Sequence, residues 1–406
     1  MQRIFEVDPP QPEKPGEILL QHGLAEEAYP FITKDFNKED FRCWTNLAAC
    51  LRIMSRLDEA KEAAKKALEL NQRAHKAWYN LAYIMEDLGH YEHGLEAITI
   101  AYRLMPVDKE VAFHYARSNM RMGKWKEVRD QFEFGREELC WNPFKVIPKL
   151  RCGDDLTGKR VLVLHEGGYG DFFWFMRYLK LLKDWGCHVT YLAWRRQADF
   201  TQHRCPWVDR VLKADDVIDE SLYDVQLPLW SLLSTLDGPM PMTEPYIVPH
   251  KLTIPKNQFT VGLAWYADEM GMARRTRSIP MELLEPFGNI SVNWMPLSLV
   301  KEIPEWCSDC REVLATGWEP TASIIERCDL IITVDTATVH LAGAMGKETW
   351  LLLPHNSDWR WGTPENCFVS KWYPSVRAFR NSDPVKWEPV IERVKTKLEA
   401  RLCIPV

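Results

Sequence analysis

The chain has 406 residues, 46% of them hydrophobic, and a formal net charge of −6. That length predicts two or three domains with ample core. The weak acidic balance leaves no electrostatic footprint for duplex DNA or an anionic membrane, so nucleic acid is not an expected partner. The opening MQRIFEVDPPQPEKPG is polar and proline-rich, unlike a secretory signal. No apolar run is long enough to span a bilayer. The 11 cysteines are scattered and suggest no disulfide framework. Together these features predict a reduced, cytoplasmic protein without a membrane span.

Repeats dominate the first part of the chain. Trp44 and Trp78 are 34 residues apart, Leu47-Ala48 recurs as Leu81-Ala82, Ala67 as Ala101, and Gly89 as Gly123. Each unit reads as two amphipathic helices with small residues where they cross, and Pro106 stands where a second helix should stop. A generic helical bundle would not repeat its landmarks at one spacing. The pattern resembles the tetratricopeptide repeat. Two units fall between Asp40 and Pro106. A weaker third, Val107 to Glu138, has Ala112 in place of the tryptophan, and Pro15 to Phe36 forms an earlier partial unit or a cap. The expected all-α repeat domain covers 1–145. Its short groove suits a protein acceptor, a partner, or a second copy of the chain.

Residues Trp141 to Lys159, with Pro143, Pro148, Gly153 and Gly158, read as a linker. Strand–helix alternation then begins. Arg160 to Leu164 is a buried strand, His165 to Asp171 a tight turn, and Phe172 to Lys183 a helix. His188 to Ala193, Val208 to Leu212 and Tyr223 to Leu227 read as further strands. This predicts a Rossmann-like domain over 159–245. The prolines from Met240 to Pro255 mark a second linker, and a second Rossmann-like domain is expected over 256–406. Its strands are read at Thr260 to Trp265, Ser291 to Pro296, Val313 to Ala315, Leu330 to Val334 and Thr349 to Leu353. Helices are read at Met281 to Phe287, Ala322 to Arg327, Ala337 to Met345 and Pro384 to Leu402. Two successive parallel-sheet domains place a ligand at the carboxyl ends of the strands.

The segment CDLIITVDTATVHLAGAMGKETWLLL, from Cys328 to Leu353, carries the most chemistry. It reads strand, polar turn, helix, strand. Unpaired N–H groups and the helix dipole at such a turn favour an anion, phosphate above all. Thr336 and Thr338 add hydroxyls. Asp335 suits either a helix cap or a partner for sugar hydroxyls. His340 is either a donor to phosphate or sugar, or a structurally satisfied side chain. Asp171 ends a loop containing Gly167, Gly168 and Gly170, and there a cap role and a base role are compatible. Arg274 and Arg275 are either a solvated basic loop or helpers of Arg277. Trp265, Trp359 and Trp361, near strand ends, suit stacking on a base or sugar, or packing between domains. His165 and Glu166 are secondary candidates on the acceptor side. Cys307-Ser308-Asp309-Cys310 is half a zinc site at most and reads as ordinary thiols.

Three of these segments occur in a telling order: Gly168-Tyr169-Gly170-Asp171, then Arg277-Ser278-Ile279-Pro280, then Val334-Asp335-Thr336-Ala337-Thr338-Val339-His340-Leu341-Ala342-Gly343. With Asp358-Trp359-Arg360-Trp361 and Trp372 to Arg380, they resemble the heptosyltransferase-like glycosyltransferases of family nine, in a group that carries tetratricopeptide repeats. The resemblance implies an α/β GT-B-like fold and a nucleotide-sugar donor used without a catalytic metal, and it implies inversion at the anomeric carbon. It makes Asp171 the general base. It assigns the diphosphate to Arg277, where the family usually has lysine, and the donor site to Asp335, Thr336 and His340. Gly168, Gly170, Trp265, Ala337 and Thr338 complete the expected donor site; Ala337 stands where glycine is common. No cofactor beyond the donor is expected, and the acceptor would be a protein or a glycan. The rival expectation is a non-catalytic repeat scaffold with a degenerate transferase fold.

Overall fold

The computed structural model describes residues 15–34, 36–136, 144, 146–150, 154–236, 244–249, 258–267, 277–383 and 386–403. By contacts the chain divides into two compact units, Met1–Pro106 and Val107–Val406.

The first unit is all helical: α1 (Pro15–Gln21), α2 (Ala25–Lys34), α3 (Phe41–Ile53), α4 (Leu57–Leu70), α5 (His75–Asp87) and α6 (Tyr91–Leu104). The repeat is visible in its bonds. Trp44 Nε1 donates to the Lys38 carbonyl and Trp78 Nε1 to the Gln72 carbonyl, each at 2.9 Å. Ser55 and Gly89 occupy equivalent left-handed positions after α3 and α5, with φ of 61° and 79°. Alanines 48, 60, 63 and 64 fill the helix crossings with no side-chain bulk to spare.

The 34-residue period continues into Val107 onward. Helix α7 (Lys109–Arg121) is followed by Gly123 at φ 87°, a 3-10 turn at Lys126–Val128, and α8 (Arg129–Arg136). This third pair belongs by contact to the second unit, which begins at Val107. The reason is its apolar face. Ala116, Met120, Val128 and Phe132 join the core that runs between the following sheets.

The second unit holds two parallel sheets. The first contains β1 (Arg160–Leu164), β2 (His188–Ala193), β3 (Arg210–Lys213) and β4 (Val225–Pro228) in the order β3-β2-β1-β4. Helices α9 (Tyr169–Asp184), α10 (Arg195–Arg204) and α11 (Ser231–Thr235) accompany it. The second contains β5 (Thr260–Ala264), β6 (Asn293–Pro296), β7 (Leu330–Val334), β8 (Thr349–Leu353) and β9 (Val376–Arg380) in the order β6-β5-β7-β8-β9. With it come α12 (Glu285–Gly288), α13 (Arg311–Ala315), α14 (Trp318–Arg327), α15 (Ala337–Ala344), α16 (Val369–Trp372) and α17 (Glu388–Leu402). Both strand orders reverse beside the first strand of the lobe, the point where such sheets open a crevice. The fold is therefore an all-α repeat region followed by two Rossmann-like lobes, the GT-B-like arrangement expected.

The strands are buried on both faces, so they read as continuous apolar runs. Val161 and Val163 face the core shared by the lobes, while Leu162 and Leu164 face a separate outer cluster. Ile331, Leu351 and Leu353 likewise face the shared core, and Leu330, Ile332, Trp350 and Leu352 the outer one. Two expectations need correction. Val313 to Ala315 is helical, within α13, and adds no strand. The edge strand β9 escaped notice because its outer position leaves Arg377 and Arg380 in the run, which breaks the apolar pattern.

A buried ion cluster joins the lobes. Arg204 of α10, with its side chain fully enclosed, grips Glu319 at 2.6 Å and also pairs with Glu326, both on α14. Arg204→Ala removes the buried cation that Glu319 and Glu326 share. It should cost about 3–5 kcal/mol, measurable as a lowered urea midpoint with unchanged slope; a midpoint equal to the parent's would contradict this.

Candidate functional site

The first lobe contributes the turn between β1 and α9. Gly167 sits at φ +77°, and a Cβ there would come within 2.6 Å of Asp171 Oδ2 and 2.8 Å of Trp230 Nε1. Gly168, not Asp171, is the residue that precedes the helix. Its N–H donates to Asp171 Oδ2 at 2.9 Å, so Asp171 reaches back from the third helical position. The carboxylate is thereby aimed at the helix start.

The second lobe contributes the start of α15. Thr336 caps it, its hydroxyl accepting from Thr338 N–H at 3.3 Å. That removes the cap role from Asp335, which is 4% exposed and whose Oδ2 has no partner among the described residues. Burial pushes the Asp335 carboxyl up to about 6, with Asp358 adding to the rise and Arg277 opposing it. Arg277 lies half-buried, its Nη1 3.5 Å from the Asp335 carbonyl oxygen and its Nε unpartnered among the described residues. Thr338 and His340 are buried; Ala337 is half-buried.

The two helix starts meet. A Cβ on Gly170 would stand 3.2 Å from His340 Cδ2 and 3.8 Å from the Ala337 Cα. A side chain at Gly170 would press on the His340 ring, so glycine eases the close approach of α9 to α15. His340 is stacked on Trp361, with ring centroids 5.1 Å apart and planes 14° apart, and its Nδ1 is 3.0 Å from the Tyr373 hydroxyl. Burial, helped by the Arg360 and Arg177 charges, holds its pKa well below the ordinary histidine range, so the ring is neutral.

Arg360, quoted above only within the Asp358–Trp361 segment and given no site role there, links these parts. It pairs with Asp171 Oδ1 from the opposite lobe and with Asp358 Oδ1 at 3.1 Å. Its guanidinium lies 4.5 Å from the Trp359 ring, 5.4 Å from Trp174 and 5.6 Å from Trp230. Burial disfavours its charge, but Asp171, Asp358 and Asp335 outweigh this and raise its pKa. Asp171 shows the converse: burial raises its pKa, and Arg360 and the Gly168 N–H restrain the rise. Helix α7 adds to the set. Arg121 Nη2 donates to the Ser357 carbonyl at 3.1 Å, and the Arg117 and Arg121 charges help hold Asp358 ionised against its burial.

The remaining candidates separate clearly. Trp265 is 3% exposed and packs in the outer core of the second lobe; its edge still borders a cleft of about 630 Å³ shared with Tyr266, Ser278, Glu282 and Lys301. Trp359 and Trp361 are buried packing groups around Arg360 and His340. Glu166 is tied to Arg136 of α8 and accepts from Trp230 N–H at 3.1 Å, a structural assignment. Arg274 and Arg275 lie outside the described residues. The thiols of Cys307 and Cys310 are pushed up by burial to about 12 and about 11, so they are poor nucleophiles. No helix among the described residues is long and apolar enough to cross a membrane.

Residues 41–73 match the tetratricopeptide repeat family. The chain is 25% identical over 477 aligned positions to Protein FlbA of Caulobacter vibrioides, covering 94% of this chain and 77% of that protein. Among solved structures, TibC of enterotoxigenic E. coli, described as an iron-containing dodecameric glycosyltransferase, overlaps 63% of this chain and 78% of its own at 13% identity and a TM-score of 0.44. A family 9 glycosyl transferase of Veillonella parvula overlaps 60% and 92% at 13% identity and a TM-score of 0.42. These overlaps are partial.

The raised Asp335 carboxyl has a thermodynamic consequence. Between its unfolded value near 4 and its folded value of about 6, the folded chain holds a proton that the unfolded chain releases. Stability therefore falls as pH rises through that window. Asp335→Asn should be the more stable protein near neutral pH by on the order of 2 kcal/mol, with the advantage gone below about pH 4. Urea unfolding at both pH values checks this, and a difference that ignores pH would contradict it.

Proposed function

We propose that the second unit is a glycosyltransferase that moves a sugar from a nucleoside diphosphate to an acceptor hydroxyl. The observation that carries the reading is the meeting of two helix starts from two lobes, at Gly170 against Ala337 and His340. Both helix dipoles converge there, beside the Arg277 guanidinium, and favour a diphosphate. The neighbouring cleft bordered by Tyr266, Ser278 and Glu282 has room for the nucleoside. An anion arriving near Asp335 shifts that carboxyl further toward its neutral form, so it need not repel the ligand.

The chemistry follows from the positions. Asp171 accepts the proton of the acceptor hydroxyl as that oxygen bonds to the anomeric carbon. The bond from that carbon to the diphosphate oxygen breaks, and the leaving charge falls on the α15 N–H groups and Arg277. Attack by the acceptor oxygen on the face of the sugar away from the departing diphosphate inverts the anomeric centre, and no metal is required to balance the step. An ionised aspartate is a weak base, so alignment must supply much of the rate. Arg360 acts as a positioning residue. It holds Asp171 in place and opposes the rise in pKa that burial imposes on it. The repeats would present a protein or glycan acceptor, or a partner.

Release of nucleoside diphosphate from a panel of nucleotide sugars tests the reading. Asp171→Asn should lower turnover about 10²–10⁴-fold while circular dichroism stays unchanged; equal turnover in the variant, or none from the parent with any donor, favours the scaffold. The rate should also fall as pH drops through the raised Asp171 value, because only the ionised form takes a proton. Arg360→Gln removes a charge that favours that form, so the acid limb should move to higher pH. An unmoved limb would show that Arg360 does not act through Asp171.

A further inference from the structure

Behind the start of α15, a chain of buried hydroxyls leads away from His340. Its Nδ1 is 3.0 Å from the Tyr373 hydroxyl, which is 3.3 Å from the Tyr246 hydroxyl. Tyr246 in turn donates to the Phe173 carbonyl, in α9, at 2.9 Å. One helical turn further along α9, Arg177 Nη2 donates to the Tyr246 oxygen at 3.3 Å. Burial raises both phenols above the ordinary tyrosine range, so each keeps its single proton. His340 is neutral and also carries one ring proton.

This inventory fixes the direction of every bond. A carbonyl only accepts, so the Tyr246 proton lies on the Phe173 oxygen. The Tyr246 oxygen then accepts from Tyr373. With its proton used there, the Tyr373 oxygen accepts from His340 Nδ1–H. The reverse order, Tyr373 donating to Nδ1, would leave two enclosed phenol oxygens 3.3 Å apart with no proton between them, and buried polar contacts of that kind are costly. In the tautomer that results, Nε2 carries a lone pair. The Cδ2–Nε2 edge is also the edge that borders Gly170: a Cβ there would stand 3.2 Å from Cδ2 and 3.8 Å from Nε2.

We infer that Tyr373, with Tyr246 behind it, is a positioning residue that locks His340 in the Nδ1–H tautomer, so that the ring edge at the meeting of the two helix starts offers an acceptor and no donor. The logic is that of a metal-bound histidine, where the partner of one ring nitrogen decides what the other can do. A phosphate oxygen at this edge would meet a lone pair. The diphosphate is thereby turned from His340 toward Arg277, and Nε2 is left for a group that brings its own proton. That role rests on the transferase reading; the tautomer itself does not.

Two-bond 1H–15N correlation spectra of the full chain, labelled with 15N-histidine and assigned with His340→Gln, read the tautomer directly. The parent should show a protonated Nδ1 and a bare Nε2. Tyr373→Phe removes the acceptor of Nδ1–H, and Tyr246→Phe frees the Tyr373 proton for Nδ1. Both should move the population toward Nε2–H. Tyr246 stands one bond further from His340, so a change there reports the relay and not lost packing on the ring. Nε2–H in the parent, or a tautomer that neither variant moves, would overturn the inference, and the parent spectrum decides even where a variant does not fold. With a nucleotide sugar that the parent turns over, Tyr246→Phe should lower kcat/KM by up to about tenfold, the size of one misdirected hydrogen bond. An unchanged kcat/KM beside a shifted tautomer would remove the positioning role. The expected tautomer without turnover of any donor would retain the relay and reject the transferase.

Discussion

The ion pair between Arg360 and Asp171 is the interaction on which the rest of the second unit depends. It joins the loop after β8 to the first turn of α9, and so ties one lobe to the other at the proposed base. A guanidinium buried this deeply survives only because its charge is matched. Asp358 accepts from its second arm, and the faces of Trp174, Trp230 and Trp359 surround it. The same arrangement explains why α7 and α8 belong with the lobes. Trp125, between them, packs 5.2 Å from Trp359, while Arg136 binds Glu166 of the opposite lobe. A helix pair whose sequence period is that of a repeat has become the back wall of the crevice.

Around that pair the site is built from backbone more than from side chains. Gly167 supplies a turn that no other residue could make without striking Asp171, and Gly170 lets two helix starts touch. The buried neighbours are kept uncharged or balanced: His340 neutral, Asp335 raised, Asp358 paired. A second cation, Arg177, is enclosed by Trp174, Tyr246, Trp372 and Tyr373 and pairs with no carboxylate among the described residues; carbonyl and hydroxyl oxygens bind it instead. The Tyr246 and Tyr373 hydroxyls continue from it to His340.

Much of the fold was legible because parallel strands are buried on both faces. Arg160 to Leu164, Leu330 to Val334 and Thr349 to Leu353 fall where their apolar runs put them. Val313 to Ala315 has the same composition over three residues, too few for periodicity to separate strand from helix. The edge strand β9 was hidden by its arginines. At the site, local chemistry was readable and distant pairing was not. The helix start at Ala337 follows from its sequence. That Thr336 and not Asp335 caps it depends on the burial of Asp335. Arg360 lies 189 residues from Asp171, and no spacing rule links them. Trp359 and Trp361 were readable as stacking or packing groups, but only the fold shows that the arginine between them faces Asp171.

Hydrogen–deuterium exchange of the full chain, with and without nucleoside diphosphates, bears most directly on the claim that two helix starts grip an anion. Bound diphosphate must accept hydrogen bonds from those N–H groups. Slower exchange is therefore expected for amides of residues 336–340, with 168–171 protected in the same complex. Exchange unchanged in both segments with every nucleotide, or protection confined to the helical repeats, would contradict the account.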